Sequence, residues 1–359
     1  MLIFNPEHDL CLANGDPNFV APASSLRFGH DCQAIMNYAS NPDHFHRQQD
    51  LCVWGWDACV RNKLLKQGID ISSLPSDVEL ETIRQLSHRR TAICARKYIV
   101  SNLCPVYAEL CTQVSPVEIN DMSDALNFLD IHRQIVLKAP WSGSGKGIRW
   151  AHSDDRNRDW KAWFTKTVNN QGSVIAEARD NVVLDFAMLF YIRETQNPTS
   201  AKDGCFRPFA DFIGYSMFEC SNGAYRSNIL ASDEYIRGCI GKYVPMELID
   251  KTELLLKQYL RSAFYGSYEG YVGVDMYICE CGGKYLLQPC VEINVRHTMG
   301  LIAHNVFKKY YNEQDSGNYK MCVIHNADNT GLEETLQSAE RILAKSSDIH
   351  SEYAIAVFQ

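Results

Sequence analysis

Three oxygen-bearing side chains in the last third of the chain have the types and spacing to hold a hard metal ion. Asp275 lies in the apolar run 271–278, and Glu292 and Asn294 lie in the run 284–295. Residues two apart on a strand project to the same face, so Glu292 and Asn294 project together, and an antiparallel neighbour brings Asp275 alongside. Carboxylate and amide oxygens are the ligands that Mg²⁺ prefers. The spacing therefore predicts a metal site at Asp275, Glu292 and Asn294.

The second of these runs also carries a cation and leaves one alternative open. Arg296 follows Asn294 by two further residues, which places a guanidinium group on the same face. The alternative is a solvated polar face on an edge strand. Val291 and Ile293 flank Glu292 and indicate a buried strand, and a buried carboxylate is costly without a cation beside it. This cost favours the metal site.

The glycine-rich segment KAPWSGSGKGI, residues 138–148, has the composition of a phosphate-binding loop. Aligned with a Walker loop, it has Pro140 in place of the first glycine and Gly147 in place of the final serine or threonine, so it is not that motif. Glycines let backbone N–H groups close on a polyanion, and serine hydroxyls add donors. The segment predicts either a flap over phosphates between two strands or an ordinary glycine-rich hairpin.

Apolar periodicity indicates which elements position these groups. Strands are expected at residues 135–140, 174–178, 186–192, 209–218, 225–231, 271–278, 284–295, 320–325 and 353–359. Helices are expected near 122–130, with Asp121 and Ser123 as caps, over 247–264, and over 331–345, where Leu332, Leu336, Ala339 and Leu343 share one face.

The order of these elements predicts the fold class. The first 95 residues contain short apolar runs at 2–4 and 51–56 that suit buried strands of a small α/β domain. A domain boundary is expected near the basic run His88-Arg89-Arg90. An α/β start followed by a long block of antiparallel strands predicts the α+β class. A cleft between the domains is the expected place for a ligand.

The amino-acid composition indicates which classes of binding partner to expect. The chain has 359 residues, 46% of them hydrophobic, a net charge of −8 and a pI near 5.8. A negative protein lacks the clustered positive field that nucleic acids and anionic membranes require, so small-molecule partners are expected. No run of about 20 apolar residues and no secretory signal is visible, which favours a cytoplasmic location. A homodimer is left open.

The cysteines favour packing over chemistry. The 14 cysteines are mostly scattered singly, as expected of small buried hydrophobes kept reduced. Cys279 and Cys281 are the one close pair. A metal site there needs further ligands, and none are nearby, whereas Gly282-Gly283 between two strand-like runs predicts a β-hairpin turn.

Taken together, these motifs resemble the ATP-grasp superfamily over residues 90–305. The resemblance rests on the order and spacing of Lys138, the loop 142–147, Glu177, Asp275 and the run 292–296. It implies a preceding α/β domain at 1–95, a small lid domain at 96–180 and a larger antiparallel domain at 181–310, with ATP between the last two. A strand-helix-strand segment at 311–359 would pack on this core.

The resemblance also implies roles for individual residues. Lys138 matches the strand lysine that contacts the ATP phosphates and the adenine edge, Glu177 the hinge acid near adenine, and Asp185 the acid that takes the ribose hydroxyls. Lys97 resembles a second phosphate-binding lysine. The lid loop over the triphosphate matches Ser142, Gly143, Ser144, Gly145, Lys146 and Gly147.

The catalytic roles follow in the same way. Asp275, Glu292 and Asn294 match the ligands of two Mg²⁺ ions. Arg296 matches an arginine that stabilises the transferred phosphoryl group or the acyl phosphate. The implied activity is a ligation in which ATP phosphorylates a carboxylate and an amine or a thiol attacks the acyl phosphate.

Two other functions stay open at this point. A small-molecule kinase could use the same scaffold and release its phosphorylated product. A noncatalytic nucleotide-binding protein is disfavoured, since it has no need of two metal-holding acids. Near the amino terminus, Glu7, His8 and Arg27 are candidates for contacts to the acceptor substrate or for plain surface and capping roles.

Overall fold

A computed structural model gives the fold of most of the chain. It describes residues 11–12, 20–21, 53–66, 69–142, 147–154, 159–193, 209–221, 223–325, 332–345 and 353–359.

The described secondary structure is mixed. The helices are α1 Ala58–Lys66, α2 Asp77–Leu86, α3 Arg90–Asn102, α4 Pro105–Ala108, α5 Met122–His132, α6 Asp159–Gln171, α7 Asp233–Ile240, α8 Met246–Ala263, α9 Met299–Tyr310 and α10 Leu332–Gln337, with 3₁₀ turns at Ile71–Ser73 and Glu313–Asp315. The strands are β1 Cys11–Leu12, β2 Val20–Ala21, β3 Val117–Ile119, β4 Gln134–Lys138, β5 Ile148–His152, β6 Val174–Ala178, β7 Asn181–Arg193, β8 Phe209–Ser221, β9 Ala224–Leu230, β10 Gly270–Cys281, β11 Lys284–Asn294, β12 Tyr319–His325, β13 Arg341–Lys345 and β14 Tyr353–Phe358.

The chain divides into two compact units. Unit 1 comprises Met1–Arg84, Arg226–Ser232 and Val295–Gln359, and unit 2 comprises Gln85–Tyr225 and Asp233–Asn294. Unit 2 holds antiparallel strands in the orders β11-β10-β7-β8 and β3-β6-β4-β5, together with helices α3 to α8. Helices combined with antiparallel sheets confirm the predicted α+β class. The boundaries expected at residues 95, 180 and 310 stay predictions.

Alternation along β4 and β6 decides which side chains face the site. One face packs with α5 and α6 in a core that includes Ile135, Leu137, Val174, Ala176, Leu129 and Phe164. Because successive strand residues point to opposite sides, the other face carries Lys138 and Glu177. Asp121 caps α5 as predicted, accepting a hydrogen bond from the Ser123 N–H at 2.6 Å.

The β10–β11 hairpin sets the register of the site. Its two-residue turn is Gly282-Gly283, with φ of 59° and 80°, a pair of left-handed residues typical of the turn that matches strand twist. The hairpin predicted from this dipeptide is confirmed, and its register places Asp275 opposite Glu292. The pairing then shifts before Tyr277, and Pro289, which has no N–H to donate, lies in the irregular stretch.

Unit 1 contains strands in the order β9-β12-β14-β13. Their core packs against α9 and includes Leu230, Ile302, Val306, Met321, Leu343, Ile355 and Val357. The helix predicted over 331–345 is wrong beyond Gln337, because residues 341–345 pair with β14 as a strand. The strand predicted at 51–56 is also wrong over residues 53–56, where no strand forms. The run 2–4 lies outside the described residues.

None of the helices in the described part of the chain has the length and apolar character needed to cross a membrane.

Candidate functional site

Lys138 and Glu177 form a buried ion pair on the face of β4 and β6 that points away from the α5–α6 core. The Lys138 Nζ and Glu177 Oε2 atoms are 2.6 Å apart, and the two residues are only 7% and 8% exposed. The register explains the contact, since Glu177 lies opposite Val136 and Lys138 follows Val136 by two residues. The predicted phosphate lysine and hinge acid are therefore in direct contact.

Asp185 lies on the larger sheet and interacts electrostatically with Lys138. It lies on β7 opposite Tyr277 of β10. Burial raises the pKa of the Asp185 carboxyl to about 6, and the Lys138 ammonium acts in the opposite direction, so the field of Lys138 reaches it. The Tyr277 hydroxyl donates to Asp180 Oδ2 at 2.5 Å, and burial raises the pKa of Asp180 as well.

The three predicted metal ligands lie together on β10 and β11. Asp275 is paired with Glu292, and directly paired residues share a face of the sheet. Asn294 Nδ2 donates to Asp275 Oδ2 at 2.9 Å. Asp185 shares this face, because its partner Tyr277 follows Asp275 by two residues. We refer to Asp185, Asp275, Glu292 and Asn294 as the acidic face.

Arg89, just before α3, is the site residue that the sequence analysis missed. Its Nη1 lies 2.7 Å from Glu292 Oε2, its Nε donates to the Ala139 carbonyl at 3.1 Å, and its Nη2 donates to Ser142 Oγ at 3.3 Å. The residue is 5% exposed. One guanidinium thus joins the acidic face to the end of β4. Its signal in the sequence was the run His88-Arg89-Arg90, interpreted only as a domain boundary.

This contact corrects one step of the sequence argument. The metal site was favoured because a buried carboxylate needs a cation, and the structure supplies one in Arg89. The Glu292 side chain also keeps 25% of its surface exposed, so its burial is partial. The cost of burying Glu292 therefore does not require a metal, and the role of the acidic face as a metal site stays a prediction.

The base of the glycine-rich loop is closed by backbone contact. The Ala139 N–H donates to the Gly147 carbonyl at 2.8 Å, and a Cβ at Gly147 would overlap the Ser142 side chain and lie 3.1 Å from the Ala139 Cβ. Glycine at 147 thus has a packing reason that does not depend on a ligand. Gly143, Ser144, Gly145 and Lys146 lie outside the described residues.

Lys97 is placed differently from the other candidate lysine. Its side chain lies on the exposed side of α3, while the neighbouring Arg96 is buried. Arg96 donates to Gln288 Oε1 at 2.9 Å and to Ser115 Oγ at 2.6 Å, which ties α3 to β11 beside the irregular stretch. The buried cation of this part of α3 is therefore Arg96, and the phosphate role of Lys97 stays a prediction.

Arg296 belongs to unit 1. Its guanidinium carbon lies 5.7 Å from the centre of the Trp54 ring, and its Nη1 donates to the His297 carbonyl at 3.1 Å. Its expected action on a phosphoryl group stays a prediction. Glu7, His8 and Arg27 lie outside the described residues.

The donor chemistry of the acidic face fits Mg²⁺. Within it, the carboxylates of Asp275 and Glu292 and the amide of Asn294 offer hard oxygen ligands, and proteins hold Mg²⁺ with one or two carboxylates plus substrate phosphates. The paired register of Asp275 and Glu292 brings both acids to one side of the sheet. Among the described residues, no group of three or more His, Cys, Asp or Glu side chains is placed to hold a metal ion.

Comparison with known proteins gives similarity to solved structures only. No protein-family model and no curated protein matches the chain. An N5-carboxyaminoimidazole synthetase from Staphylococcus aureus complexed with ADP is 13% identical, with a TM-score of 0.48, covering 83% of this chain and 73% of that one.

Two further solved structures are similar at the same level. A biotin carboxylase from Campylobacter jejuni in complex with β,γ-ATP is 11% identical, with a TM-score of 0.48, covering 83% of this chain and 68% of that one. A D-alanyl-alanine synthetase A from Vibrio cholerae is 11% identical, with a TM-score of 0.41, covering 71% and 69%.

Proposed function

We propose that the protein is an ATP- and Mg²⁺-dependent ligase that joins a carboxylate, through an acyl phosphate, to an amine or a thiol. The observation that carries the proposal is the arrangement within unit 2. Two buried cations, Lys138 and Arg89, adjoin the acidic face, one through the field that it exerts on Asp185 and the other through contact with Glu292. Phosphoryl transfer needs such positioning and charge neutralisation more than a covalent catalyst.

In this proposal, different side chains bind different parts of the nucleotide. Lys138 exchanges part of its contact with Glu177 for the phosphates, and backbone N–H groups of the loop 142–147 close over them. Glu177 lies at the adenine edge. Asp185 accepts hydrogen bonds from the ribose hydroxyls when it is ionised.

Asp275, Glu292 and Asn294 would hold Mg²⁺, which when bound neutralises charge on the β- and γ-phosphates. The carboxylate oxygen of the acid substrate attacks the γ-phosphorus and ADP leaves. The amine or thiol then attacks the acyl carbon, inorganic phosphate leaves with the bonding electrons of the C–O bond, and the proton of the amine or thiol passes to the departing phosphate or to solvent. Arg296 is assigned to the charge that develops on the phosphoryl group. No nucleophilic side chain is required.

Product analysis tests this proposal. Pairs of small carboxylic acids with amines or thiols are incubated with the protein and Mg-ATP, and ADP and free phosphate are measured separately. A ligase forms both products in equal amounts, and only when both substrates are present. A kinase forms ADP without free phosphate from one substrate alone.

A matched pair of variants ties the activity to the acidic face. Asp275→Asn removes one predicted metal ligand, so we expect the rate to fall by at least about 100-fold. Asp250→Asn removes the same charge from α8, where Asp250 pairs with Arg237 at 2.8 Å, and is expected to keep the rate. Equal activity in the two variants would refute the assignment.

A further inference from the structure

Arg89 makes three contacts that no single structural role explains. Its guanidinium is ion-paired with Glu292 at 2.7 Å and donates to the Ala139 carbonyl at 3.1 Å. It also donates to the Ser142 hydroxyl at 3.3 Å, at the base of the glycine-rich loop. It is 5% exposed, whereas the Glu292 side chain is 25% exposed. A buried cation therefore covers one oxygen of a carboxylate that solvent still reaches.

The Glu292 carboxylate cannot bind both the Arg89 guanidinium and a divalent ion tightly. A divalent ion at Glu292 would lie close to the Arg89 guanidinium, and like charges at a few ångströms repel strongly in a partly buried site. Arg89 would also leave its charge without a partner if it gave up Glu292, which is costly at such burial. The exchange becomes favourable when an anionic group takes the guanidinium in place of Glu292.

We propose that Arg89 is a positioning residue that makes divalent-ion binding at Glu292 depend on the nucleotide. Arg89 holds Glu292 until the phosphates of a nucleotide give its guanidinium another partner, and the freed carboxylate then accepts the ion. The contact with Ser142 links this exchange to the base of the loop. This inference rests on the proposed nucleotide site and concerns the order and coupling of binding, which a purely structural ion pair would not produce.

Binding of Mn²⁺, measured by the loss of its free electron paramagnetic resonance signal, tests the exchange without any turnover. In the wild-type protein we expect weak Mn²⁺ binding alone and at least about tenfold tighter binding with saturating ADP. Arg89→Gln removes the competing cation, so we expect Mn²⁺ alone to bind at least about tenfold more tightly than to the wild type. The gain from adding ADP should shrink accordingly.

Arg90→Gln is the matched control. It removes the same charge one residue further along, but Arg90 is half-exposed and pairs with Glu118 at 3.1 Å instead of Glu292. We expect its Mn²⁺ affinity, with and without ADP, to equal that of the wild type. Glu292→Gln should lose Mn²⁺ binding in every background.

The outcomes separate the inference from the proposed function. If ADP binds but Arg89→Gln holds Mn²⁺ no more tightly than the wild type, the inference is overturned and the function stands. If ADP fails to bind the wild-type protein, the proposed function fails. Should Arg89→Gln not fold by circular dichroism, Arg89→Met removes the same charge and keeps an unbranched side chain, and unchanged Mn²⁺ affinity in that variant overturns the inference as well.

Discussion

The ionised Asp185 carboxyl lowers the stability of the folded protein, as expected of a buried charge kept for binding. Burial raises the pKa of its carboxyl from 3.8 to about 6, with the Lys138 ammonium holding back the rise. The folded chain thus binds this proton more tightly than the unfolded chain. The carboxyl lowers the free energy of unfolding as the pH rises from 3.8 to about 6, and the loss is complete above that range. Such a group is typical of functional sites.

The variant Asp185→Asn distinguishes the effect of this carboxyl on the free energy of unfolding from its effect on nucleotide binding. Near neutral pH, Asp185→Asn should raise the free energy of unfolding by up to about 3 kcal/mol, because no buried charge remains. The affinity for an ATP analogue should fall. We expect the wild-type affinity to decline as the pH drops below about 6, and the affinity of Asp185→Asn to show no such decline. Urea unfolding and calorimetric titration measure the two effects.

The control for this variant is Asp154→Asn. Asp154 pairs with Arg133 at 3.2 Å with both side chains mostly exposed, a contact that contributes little. Its replacement should leave both stability and affinity nearly unchanged. Reduced stability with unchanged nucleotide affinity in Asp185→Asn would show that Asp185 is a structural residue.

The sequence alone predicted that side chains on one hairpin would lie together. It missed the contact between Arg89 and Glu292, which lie far apart in the chain. Glu292 and Asn294 are two apart on one strand, and the hairpin brings Asp275 opposite Glu292, so a period of two and a hairpin signal were enough to put the three side chains on one face. Arg89 reaches Glu292 from before α3, across more than half the chain. Nothing in the spacing of a basic run indicates which distant strand it will contact.

The hairpin between β10 and β11 is the element on which the acidic face depends. Its turn residues both have positive φ, and the turn fixes the pairing from Cys281–Lys284 to Tyr277–Gln288, beyond which a shifted register pairs Asp275 with Glu292. A change that strains the turn should therefore weaken the strand pair that carries the site.

Two alanine substitutions isolate this backbone requirement. A Cβ at either Gly283 or Gly238 would meet no atom within 4 Å, but only Gly283 has a positive φ, of 80°. Gly283→Ala should lower the free energy of unfolding by about 1–2 kcal/mol. Gly238→Ala, inside α7, should raise it by about 0.5–1 kcal/mol. Denaturant unfolding measures both, and changes of the same sign would contradict this account of the turn.

The end of the chain shows where element prediction failed. Leu332, Leu336, Ala339 and Leu343 have helical spacing, yet the helix ends at Gln337. Residues 341–345 gain backbone hydrogen bonds from β14, and Leu343 is 1% exposed in the sheet core. A short helix is marginal without packing, so pairing with the following strand β14 decided the outcome. The apolar periodicity of one segment does not indicate whether another strand will pair with it.

At the scale of the whole molecule, the proposal assigns the nucleotide and the ion to unit 2. Lys138, Glu177, Arg89 and the acidic face all belong to that unit, whereas Arg296 belongs to unit 1. Nucleotide binding is therefore the part of the function that the described geometry addresses most directly. The net charge of −8 makes local cations such as Lys138 necessary for holding a polyanion.

Calorimetric titration with a nonhydrolysable ATP analogue and Mg²⁺ tests the central claim most directly. The wild-type protein should bind with a dissociation constant between about 1 µM and 1 mM, and Lys138→Met should weaken binding at least about tenfold. Lys161→Met, which removes a lysine that lies over the Trp160 ring on α6, should bind as the wild type does. No saturable binding by the wild type, or equal affinity in a folded Lys138→Met variant, would contradict the nucleotide site.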